Sequence, residues 1–221
     1  MGDGPTWSIL IPTISERHHL FCRLLGVLLP QLDPHGGRVR VVGWWNNGSP
    51  SLPEIRQALL RDAGTDYVSF VDDDDLVVDD YVATIVGALA SRPDHVGFRV
   101  AYHVDGVLQE EVDHSLRHRR WRRDRVRGLV RDFTHLDPVR RDLALRGDFR
   151  RARRGHPEDR MWVGQVRRHV RSEVYVGRVL YHYLYSPAGS AWQRAGRLQA
   201  TRPRPVVDHP HFAWHPECDR G

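Results

Sequence analysis

Four consecutive aspartates, Asp72 to Asp75, directly follow an apolar run, and their type and spacing give the first indication of chemistry. Side chains at the end of an extended strand alternate between two faces, so Asp72 and Asp74 are expected to share one face. Two carboxylates on one face suit a hard divalent cation with oxygen ligands, such as Mn²⁺ or Mg²⁺. The alternative is a solvated acidic loop that caps the next helix. The position after a buried strand favours a metal or diphosphate site.

The elements that must position these aspartates alternate between strand and helix over the first half of the chain. Apolar strand-like runs end at Pro12-Thr13, at Asn46-Asn47 and at Asp72, and a stretch with helical apolar spacing follows each of them. This order predicts an α/β fold with a mostly parallel, Rossmann-like sheet flanked by helices. Ligands bind beyond the carboxyl ends of such strands, so the three polar strand ends are expected to converge on one crevice.

The second half of the chain is less regular. Two strand-like runs are predicted to pair around Asp105-Gly106, and an arginine-dense connector follows them. A short helix is predicted after Pro138, and a longer one is predicted to begin at Pro157. The stretch "EVYVGRVLYHYLYS" alternates as a strand or a hairpin, and the segment from Pro187 is predicted to wrap over the domain.

Length and composition indicate one domain, or one domain with an extension, in 221 residues. No apolar stretch approaches membrane-spanning length, and the first residues carry no basic segment of the kind that opens a signal peptide. The two cysteines, Cys22 and Cys218, are far apart and form no disulfide framework. These features predict a soluble, cytoplasmic protein.

Charge is distributed unevenly along the chain. The sequence contains no lysine, so all 33 Lys and Arg residues are arginines. Residues 1–113 hold 8 Arg against 17 Asp and Glu, whereas residues 114–160 hold 16 Arg against 7. An acidic first half and a basic second half indicate different ligands: the first suits a cation and the second a polyanion.

Five stretches together resemble a family 2 glycosyltransferase with the GT-A fold, over about residues 7–186. The sequence "SILIPTISERHHLFCRLLGVLLPQL" is similar to the opening of that family, and "WWNNGSPS" to the end of its second strand. "SFVDDDDLVVDDYV" resembles its metal-binding Asp-x-Asp element. "HPEDRMW" resembles its Glu-Asp motif, and "VLYHYLYS" a common closing strand.

The resemblance implies a role for individual residues. Donor binding would fall to the residues at the strand ends and in the first turn after them: Pro12, Thr13, Glu16, Arg17, Asn46, Asp72 and Asp73. Asp74, with Asp72, would hold the metal that binds the donor diphosphate. Asp159 would be the catalytic base, and its neighbour Glu158 would shape the acceptor site. Asn46 departs from the family, where an acidic residue is usual at this position, and this leaves the preferred donor base open.

The chemistry of sugar transfer agrees with these residue types. The leaving diphosphate gains negative charge, so a metal has to stabilise it. The acceptor hydroxyl is a poor nucleophile, so a carboxylate has to take its proton. A single base and no evident enzyme nucleophile favour inversion at the anomeric carbon. The resemblance therefore implies a metal-dependent glycosyltransferase of the hexosyltransferase type that uses a nucleotide-sugar, with a UDP-sugar favoured.

Two features toward the end of the chain leave alternatives open. His182 is either a further metal ligand or a histidine packed between tyrosines on a strand. The spacings of His209, His211, His215 and Cys218 match no zinc pattern, so packing of this segment against the domain is the better interpretation.

The stretch Arg117 to Arg127 holds seven arginines around one tryptophan, a composition suited to phosphates and bases. Its predicted acceptor contacts are Arg117, Arg119, Arg120, Trp121, Arg122 and Arg123. The alternatives are another polyanion or an anionic membrane surface, or a solvated loop with no acceptor role.

The predicted acceptor follows from this arginine-rich stretch. Ordinary DNA bases offer no suitable hydroxyl, but a hydroxymethylated pyrimidine, flipped out of the duplex, would offer one to Asp159. Viruses use nucleobase glycosyltransferases of this kind to mask DNA. The competing acceptors are a glycan, a lipid-linked sugar or a protein hydroxyl, and the competing class is a non-enzymatic nucleic-acid-binding protein.

The predicted organisation is a GT-A domain over residues 1–186 and an extension over residues 187–221. Within the domain, residues 1–113 would form the nucleotide-sugar half and residues 114–186 the acceptor half.

Overall fold

The computed structural model describes residues 4–46, 49–151, 158–186, 204 and 206–219. In this part of the chain eleven strands join in one mixed sheet. The strands are β1 (Trp7–Ile14), β2 (Val39–Asn46), β3 (Tyr67–Phe70), β4 (Leu76–Val77), β5 (His95–Val104), β6 (Val107–His114), β7 (Arg122–Asp124), β8 (Gly128–Arg131), β9 (Val139–Arg140), β10 (Glu173–Tyr185) and β11 (Phe212–Trp214). The helices are α1 (His18–Leu28), α2 (Leu52–Asp62), α3 (Tyr81–Leu89), α4 (Arg141–Ala144) and α5 (Glu158–Val166).

The first half of the chain forms the parallel part of the sheet. Strand β1 pairs in parallel with both β2 and β3, and Trp7 lies opposite Val39 on one side and Tyr67 on the other. Strands β1 and β3 are buried along their whole length because helices cover both faces of a parallel sheet. The predicted order of strand and helix is therefore confirmed for this half.

Two apolar layers pack on opposite faces of the parallel strands. Ile9 and Ile11 point to the layer that contains α1 and α3, whereas Leu10 points to the layer that contains α2 and α5. This division follows from the alternation of side chains along a strand. Both layers are buried, so the carboxyl edge of the sheet is held rigidly from two sides.

The second half adds antiparallel pairs to the sheet. Strands β5 and β6 form the predicted hairpin, and its turn places Asp105 at φ 48° and Gly106 at φ 81°. Strand β10 is one continuous strand that pairs in parallel with β5, where the sequence allowed a strand or a hairpin. The arginine-dense stretch contains strand β7, which pairs with β8 in a second hairpin that the sequence pattern did not indicate.

Local capping explains where helix α2 begins. Ser51 is its N-cap, and the Ser51 hydroxyl and backbone N–H both donate hydrogen bonds to the Glu54 carboxylate, at 2.6 and 2.9 Å. This capping box, with Pro53 in the first turn, fixes the start of the helix. Pro157, at which the last long helix was predicted to begin, lies outside the described residues, and α5 is described from Glu158.

The described part of the C-terminal segment lies along the edge of the sheet. Strand β11 pairs in parallel with β2, and Trp214 contacts Phe21 of α1 at 5.4 Å between ring centroids. His215 stacks on Trp44 at 4.5 Å. The packing interpretation of this segment is therefore confirmed for these residues, whereas the boundary at residue 187 stays a prediction.

Among the described helices, not one is both long and apolar enough to cross a membrane.

Candidate active site

The three polar strand ends predicted from the sequence lie side by side at the carboxyl edge of the sheet. In the register of β1 and β2, Thr13 lies opposite Trp45 and Ile14 opposite Asn46. Strand β3 flanks β1 on its other side, and Asp72 follows it two residues after Phe70. Thr13 and Asn46 are buried, and the Asn46 amide donates a hydrogen bond to the Pro50 carbonyl at 3.1 Å. Pro12, also buried, precedes Thr13 on the same strand.

Exposure alternates along the four aspartates as the sequence predicts. The side chains of Asp72 and Asp74 are 22% and 29% exposed, whereas Asp73 and Asp75 are each 1% exposed. This alternation leaves two carboxylates open to a ligand and places the other two in the protein interior.

Arg17 forms ion pairs with the two central aspartates of the cluster, Asp73 and Asp74. Its guanidinium binds Asp73 at 2.7 Å through one nitrogen and Asp74 at 2.8 Å through the other. A one-turn 3₁₀ segment, Ser15–Arg17, carries it from the end of β1 across the strand ends. Glu16, in the same turn, is only partly buried. The structure thus places Arg17 at the predicted donor side, where it already pairs with two of the aspartates.

Asp75 is bound by groups that were not predicted from the sequence. The Tyr181 hydroxyl and the Leu184 backbone N–H donate hydrogen bonds to its two carboxylate oxygens, each at 2.7 Å. Tyr181 also accepts a hydrogen bond from the Asp72 backbone N–H at 3.1 Å. Asp75 therefore ties the aspartate loop to strand β10 and is a structural residue rather than a ligand-binding one.

The electrostatic environment separates Asp72 from the other three aspartates. Burial raises the pKa of Asp73 to about 7, even though Arg17 opposes this change. Burial, and then repulsion from Asp72 and Asp74, raises the pKa of Asp75 well above its usual range. For Asp72, burial is outweighed by Arg56 and then by His135, which together hold its pKa below the usual range. Asp72 is therefore ionised, whereas burial favours the protonated form of Asp73 and Asp75.

Arg56 connects the donor side to the Glu-Asp pair. It donates to Asp72 at 2.7 Å and to Glu158 at 2.5 Å, and its side chain is 5% exposed. A buried guanidinium of this kind is retained only when its charge is paired. Arg56 was not predicted as a site residue, although an arginine lying four residues after Leu52 and four before Leu60, on the buried face of α2, is a recognisable signal.

Asp159 lies beside Glu158 in the first turn of α5, where the helix dipole favours a carboxylate. The His135 imidazole lies between the two predicted functional carboxylates: its Nε2 is 3.5 Å from Asp72 and its Nδ1 is 3.9 Å from Asp159. Arg131 approaches the same Asp159 carboxylate at 3.9 Å. His135 was not predicted, because nothing in its sequence surroundings indicates which residues it contacts.

A cavity of about 900 Å³ opens beside these groups. Asp72, Glu158 and Asp159 line it together with Arg56 and His135, so the structure brings the predicted catalytic pair and one predicted donor ligand to a single cavity. The rest of the lining comes from β5, β6, β8, β10, the loop after β8, and Trp121 and Arg123 of the arginine-rich stretch.

Asp72 and Asp74 fit a hard divalent cation. Mg²⁺ and related ions commonly use one or two protein carboxylates, and substrate phosphates and water complete the shell. The described residues include no group of three or more His, Cys, Asp or Glu side chains placed to hold a metal, and the ligand role of His182 stays a prediction. His182 instead contacts His103, at 3.1 Å between Nδ1 and Nε2.

The stretch from Arg117 to Arg127 is called the arginine-rich hairpin because it contains strand β7 of the β7–β8 hairpin. Its charged side chains lie at the protein surface. Arg123 pairs with Glu110 at 2.5 Å, Arg122 with Asp124 at 3.6 Å, and the Arg117 guanidinium lies over the Tyr175 ring at 5.1 Å. Arg119 and Arg120 are exposed and form no ion pair with any described residue. Trp121 lines the cavity, and Arg131 lies 5.0 Å from its ring centroid.

Comparison with known proteins gives likeness at the level of structure. No protein-family model matches the sequence, and no curated protein matches it. The crystal structure of S. aureus TarS residues 1–349 in complex with UDP-GlcNAc matches with a TM-score of 0.59 and 12% identity, and the match covers 85% of this chain. The complex of the same TarS segment with UDP matches with a TM-score of 0.58 and 16% identity over 82% of this chain.

These likenesses establish the fold. The chain has the GT-A arrangement of a central sheet flanked by helices, and the predicted fold class is confirmed. The matches cover 60% and 61% of the two TarS chains, so this chain spans less than two thirds of their length.

Proposed function

We propose that this protein transfers a sugar, a hexose, from a nucleotide-sugar to an acceptor hydroxyl, with a UDP-sugar favoured as donor. The observation that carries the proposal is the link between the two sides of the site. Asp72 and the Glu158-Asp159 pair line one cavity and are joined by Arg56 and His135. Transfer between two substrates requires such a junction, because both must be held in line at one point.

The donor side is formed by the strand ends. Pro12, Thr13 and Asn46 border the space for the nucleotide base, and Glu16 stands in the turn that follows. Asp72 and Asp74 would hold Mn²⁺ or Mg²⁺, which would supply positive charge to the leaving diphosphate. Arg17 and Asp73 fix the loop that presents Asp74. Structures of the same fold with bound UDP-GlcNAc and UDP support a donor of this class.

On the acceptor side, Asp159 takes the proton from the attacking hydroxyl. Its carboxylate lines the cavity, is 20% exposed, and lies 3.9 Å from both Arg131 and His135. Glu158, held by Arg56, shapes the acceptor position next to it. Attack by the deprotonated hydroxyl on the anomeric carbon, with departure of the nucleoside diphosphate, inverts that carbon.

For the acceptor we propose a hydroxymethylated base in DNA. The observation that favours it is the exposed arginine pair, Arg119 and Arg120, beside Trp121 at the rim of the cavity. A glycan, a lipid-linked sugar or a protein hydroxyl is the alternative acceptor. A non-enzymatic nucleic-acid-binding protein is the alternative class. That role does not explain why three carboxylates, Asp72, Glu158 and Asp159, line one cavity.

Calorimetric titration with UDP-GlcNAc and with UDP, each with and without Mn²⁺, tests the donor side. We expect binding in the presence of Mn²⁺ that weakens at least tenfold in Asp74→Asn, because the amide provides no charge for the metal. Asp79→Asn is the matched control, since Asp79 is an exposed aspartate five residues further along. Absence of binding by the wild-type protein, or equal binding by Asp74→Asn, contradicts the donor-site assignment.

A further inference from the structure

Three tyrosine rings stand in a row on one wall of the cavity. Tyr183 and Tyr185 lie two residues apart on β10 and so share a face, and Tyr102 of β5 lies opposite Tyr183 in the strand register. The ring of Tyr102 is 5.6 Å from that of Tyr183, with 16° between their planes, and 6.4 Å from that of Tyr185, with 22°. The row therefore provides a surface on which the planar ring of a ligand can stack.

The exposed aromatic side chains of the described residues are concentrated at this cavity. Tyr183 and Tyr185 are 37% and 42% exposed, and Trp121 is 54% exposed, and all three line the same cavity. Single exposed apolar residues are ordinary, but aromatic side chains gathered around one cavity mark a binding surface. With Arg131 on one side of the Trp121 indole, the tryptophan is held in place as a second stacking surface.

Charge is distributed unevenly over this surface. The carboxylates Asp72, Glu158 and Asp159 line the cavity, whereas the exposed Arg119 and Arg120 directly precede Trp121, which also lines it, in the stretch before β7. An acceptor that reaches Asp159 should therefore place a neutral flat ring inside the cavity and a negative charge at the rim. A nucleotide within a nucleic acid has this arrangement, with its base inside and its phosphates outside.

We infer that the row of Tyr102, Tyr183 and Tyr185, together with Trp121, binds one unstacked nucleotide of a nucleic-acid strand. The inference rests on the proposed function, since it places the base where its hydroxyl meets Asp159. The aromatic rings stack on the base, and Arg119 and Arg120 contact the adjoining phosphates. A neutral glycan would use the aromatic rings but would gain nothing from the arginines.

The test is binding of a fluorescently labelled single-stranded DNA 12-mer that contains one hydroxymethylcytosine, measured by fluorescence anisotropy. We expect Tyr183→Ala and Tyr185→Ala each to weaken binding by about 5- to 150-fold, the usual range for removal of one stacking partner. Tyr183→Phe and Tyr185→Phe keep the ring and are expected to bind within about twofold of wild type. Leu145→Ala, which truncates an exposed apolar side chain that is not part of the cavity lining, is the control.

Several outcomes would overturn the inference. These are no binding of the oligonucleotide, equal binding by the alanine variants, or tighter binding of a neutral oligosaccharide that the same variants lose. If an alanine variant does not fold, Trp121→Ala carries the test, because its side chain is 54% exposed. Titration of wild-type protein with UDP-GlcNAc and Mn²⁺ separates the two proposals. Donor binding without aromatic-dependent DNA binding defeats this inference alone, and the reverse result defeats the proposed donor chemistry alone.

Discussion

The two charge clusters of this chain, the aspartates at 72–75 and the arginines between 117 and 127, are held in opposite ways. Asp73 and Asp75 are buried and bound by Arg17 and by Tyr181, and Asp72 is bound by Arg56. On the arginine side, Arg119 and Arg120 are exposed without an ion pair to a described residue. The four aspartates are bound by buried partners, whereas these two arginines project into solvent.

This difference indicates different physical roles. Buried charge pairs are geometrically fixed, and removal of one partner costs several kcal/mol, so they suit groups that must be positioned. Exposed charges are screened over about 10 Å at 0.1 M salt and contribute little to stability, so they suit attraction of a partner. We therefore expect mutations in the aspartate region to affect catalysis and folding, and mutations in the arginine hairpin to affect acceptor binding.

The largest effect is expected for Asp159→Asn. Removal of the general base should lower the rate of sugar transfer by about 10²- to 10⁴-fold, because the amide cannot accept the proton of the hydroxyl. The rate is measured by release of UDP in the presence of acceptor, and acceptor binding should persist. A variant that keeps the wild-type rate would show that Asp159 is not the base.

The next largest effect is expected for Arg56→Ala. Its loss leaves the carboxylates of Asp72 and Glu158 without their shared guanidinium, which should lower the free energy of unfolding by about 3–5 kcal/mol. The measurement is urea denaturation followed by circular dichroism. The control is Arg61→Ala on the same helix, whose side chain is 57% exposed and pairs with Asp62, and we expect it to cost about 0–1 kcal/mol. Equal losses in the two variants would remove the distinction between buried and exposed pairs.

A third test extends the comparison to the buried carboxylate of Asp137. Burial opposes its ionisation, but His114 and His95 outweigh this and hold its pKa below the usual range. Because the folded pKa lies below the unfolded value of about 3.9, its stabilising contribution is present above about pH 4 and is lost as the pH falls further. Asp137→Asn should therefore unfold more easily at neutral pH, by about 3 kcal/mol, and show a weaker dependence of stability on pH in the acid range.

Denaturation curves at about pH 3, 4 and 7 provide the measurement for Asp137, because this range spans its titration in the unfolded chain. The control is Asp79→Asn, since Asp79 is an exposed aspartate. Parallel pH profiles for the wild type and Asp137→Asn would show that this carboxylate does not contribute to acid sensitivity.

The smallest effect on stability is expected in the arginine hairpin. Arg119→Ala combined with Arg120→Ala should leave the midpoint of urea denaturation unchanged within error. It should, however, weaken DNA binding and reduce the slope of log K against log salt by about 1 for each phosphate that is no longer neutralised. Arg150→Ala, in an exposed pair with Asp148, is the control. An unchanged salt slope in the double variant would assign no acceptor role to these two arginines.

Local pattern was sufficient to predict the parallel half of the fold. Apolar runs closed by polar residues identified β1, β2 and β3. Strand alternation also separated Asp72 and Asp74 from Asp73 and Asp75. These features depend on neighbours within a few residues, which a single sequence displays directly.

The connections between the two halves of the site could not be predicted in the same way. Arg56 is 102 residues from Glu158, and Tyr181 is 106 residues from Asp75, so only the folded chain shows these contacts. The tyrosine row likewise depends on the register between β5 and β10. The sequence left His182 open between a metal ligand and a histidine packed on a strand; the fold places its imidazole against His103, and the ligand role stays a prediction.

The most direct measurement is the mass of candidate acceptors after incubation with this protein, Mn²⁺ and a panel of UDP-sugars. The panel of acceptors includes hydroxymethylcytosine DNA and simple glycans, and Asp159→Asn is run beside the wild type. We expect the mass of one acceptor to increase by one hexose-type sugar unit with the wild type and not with Asp159→Asn. No mass increase on any acceptor, together with no binding of any UDP-sugar, would contradict the assignment of this cavity to sugar transfer.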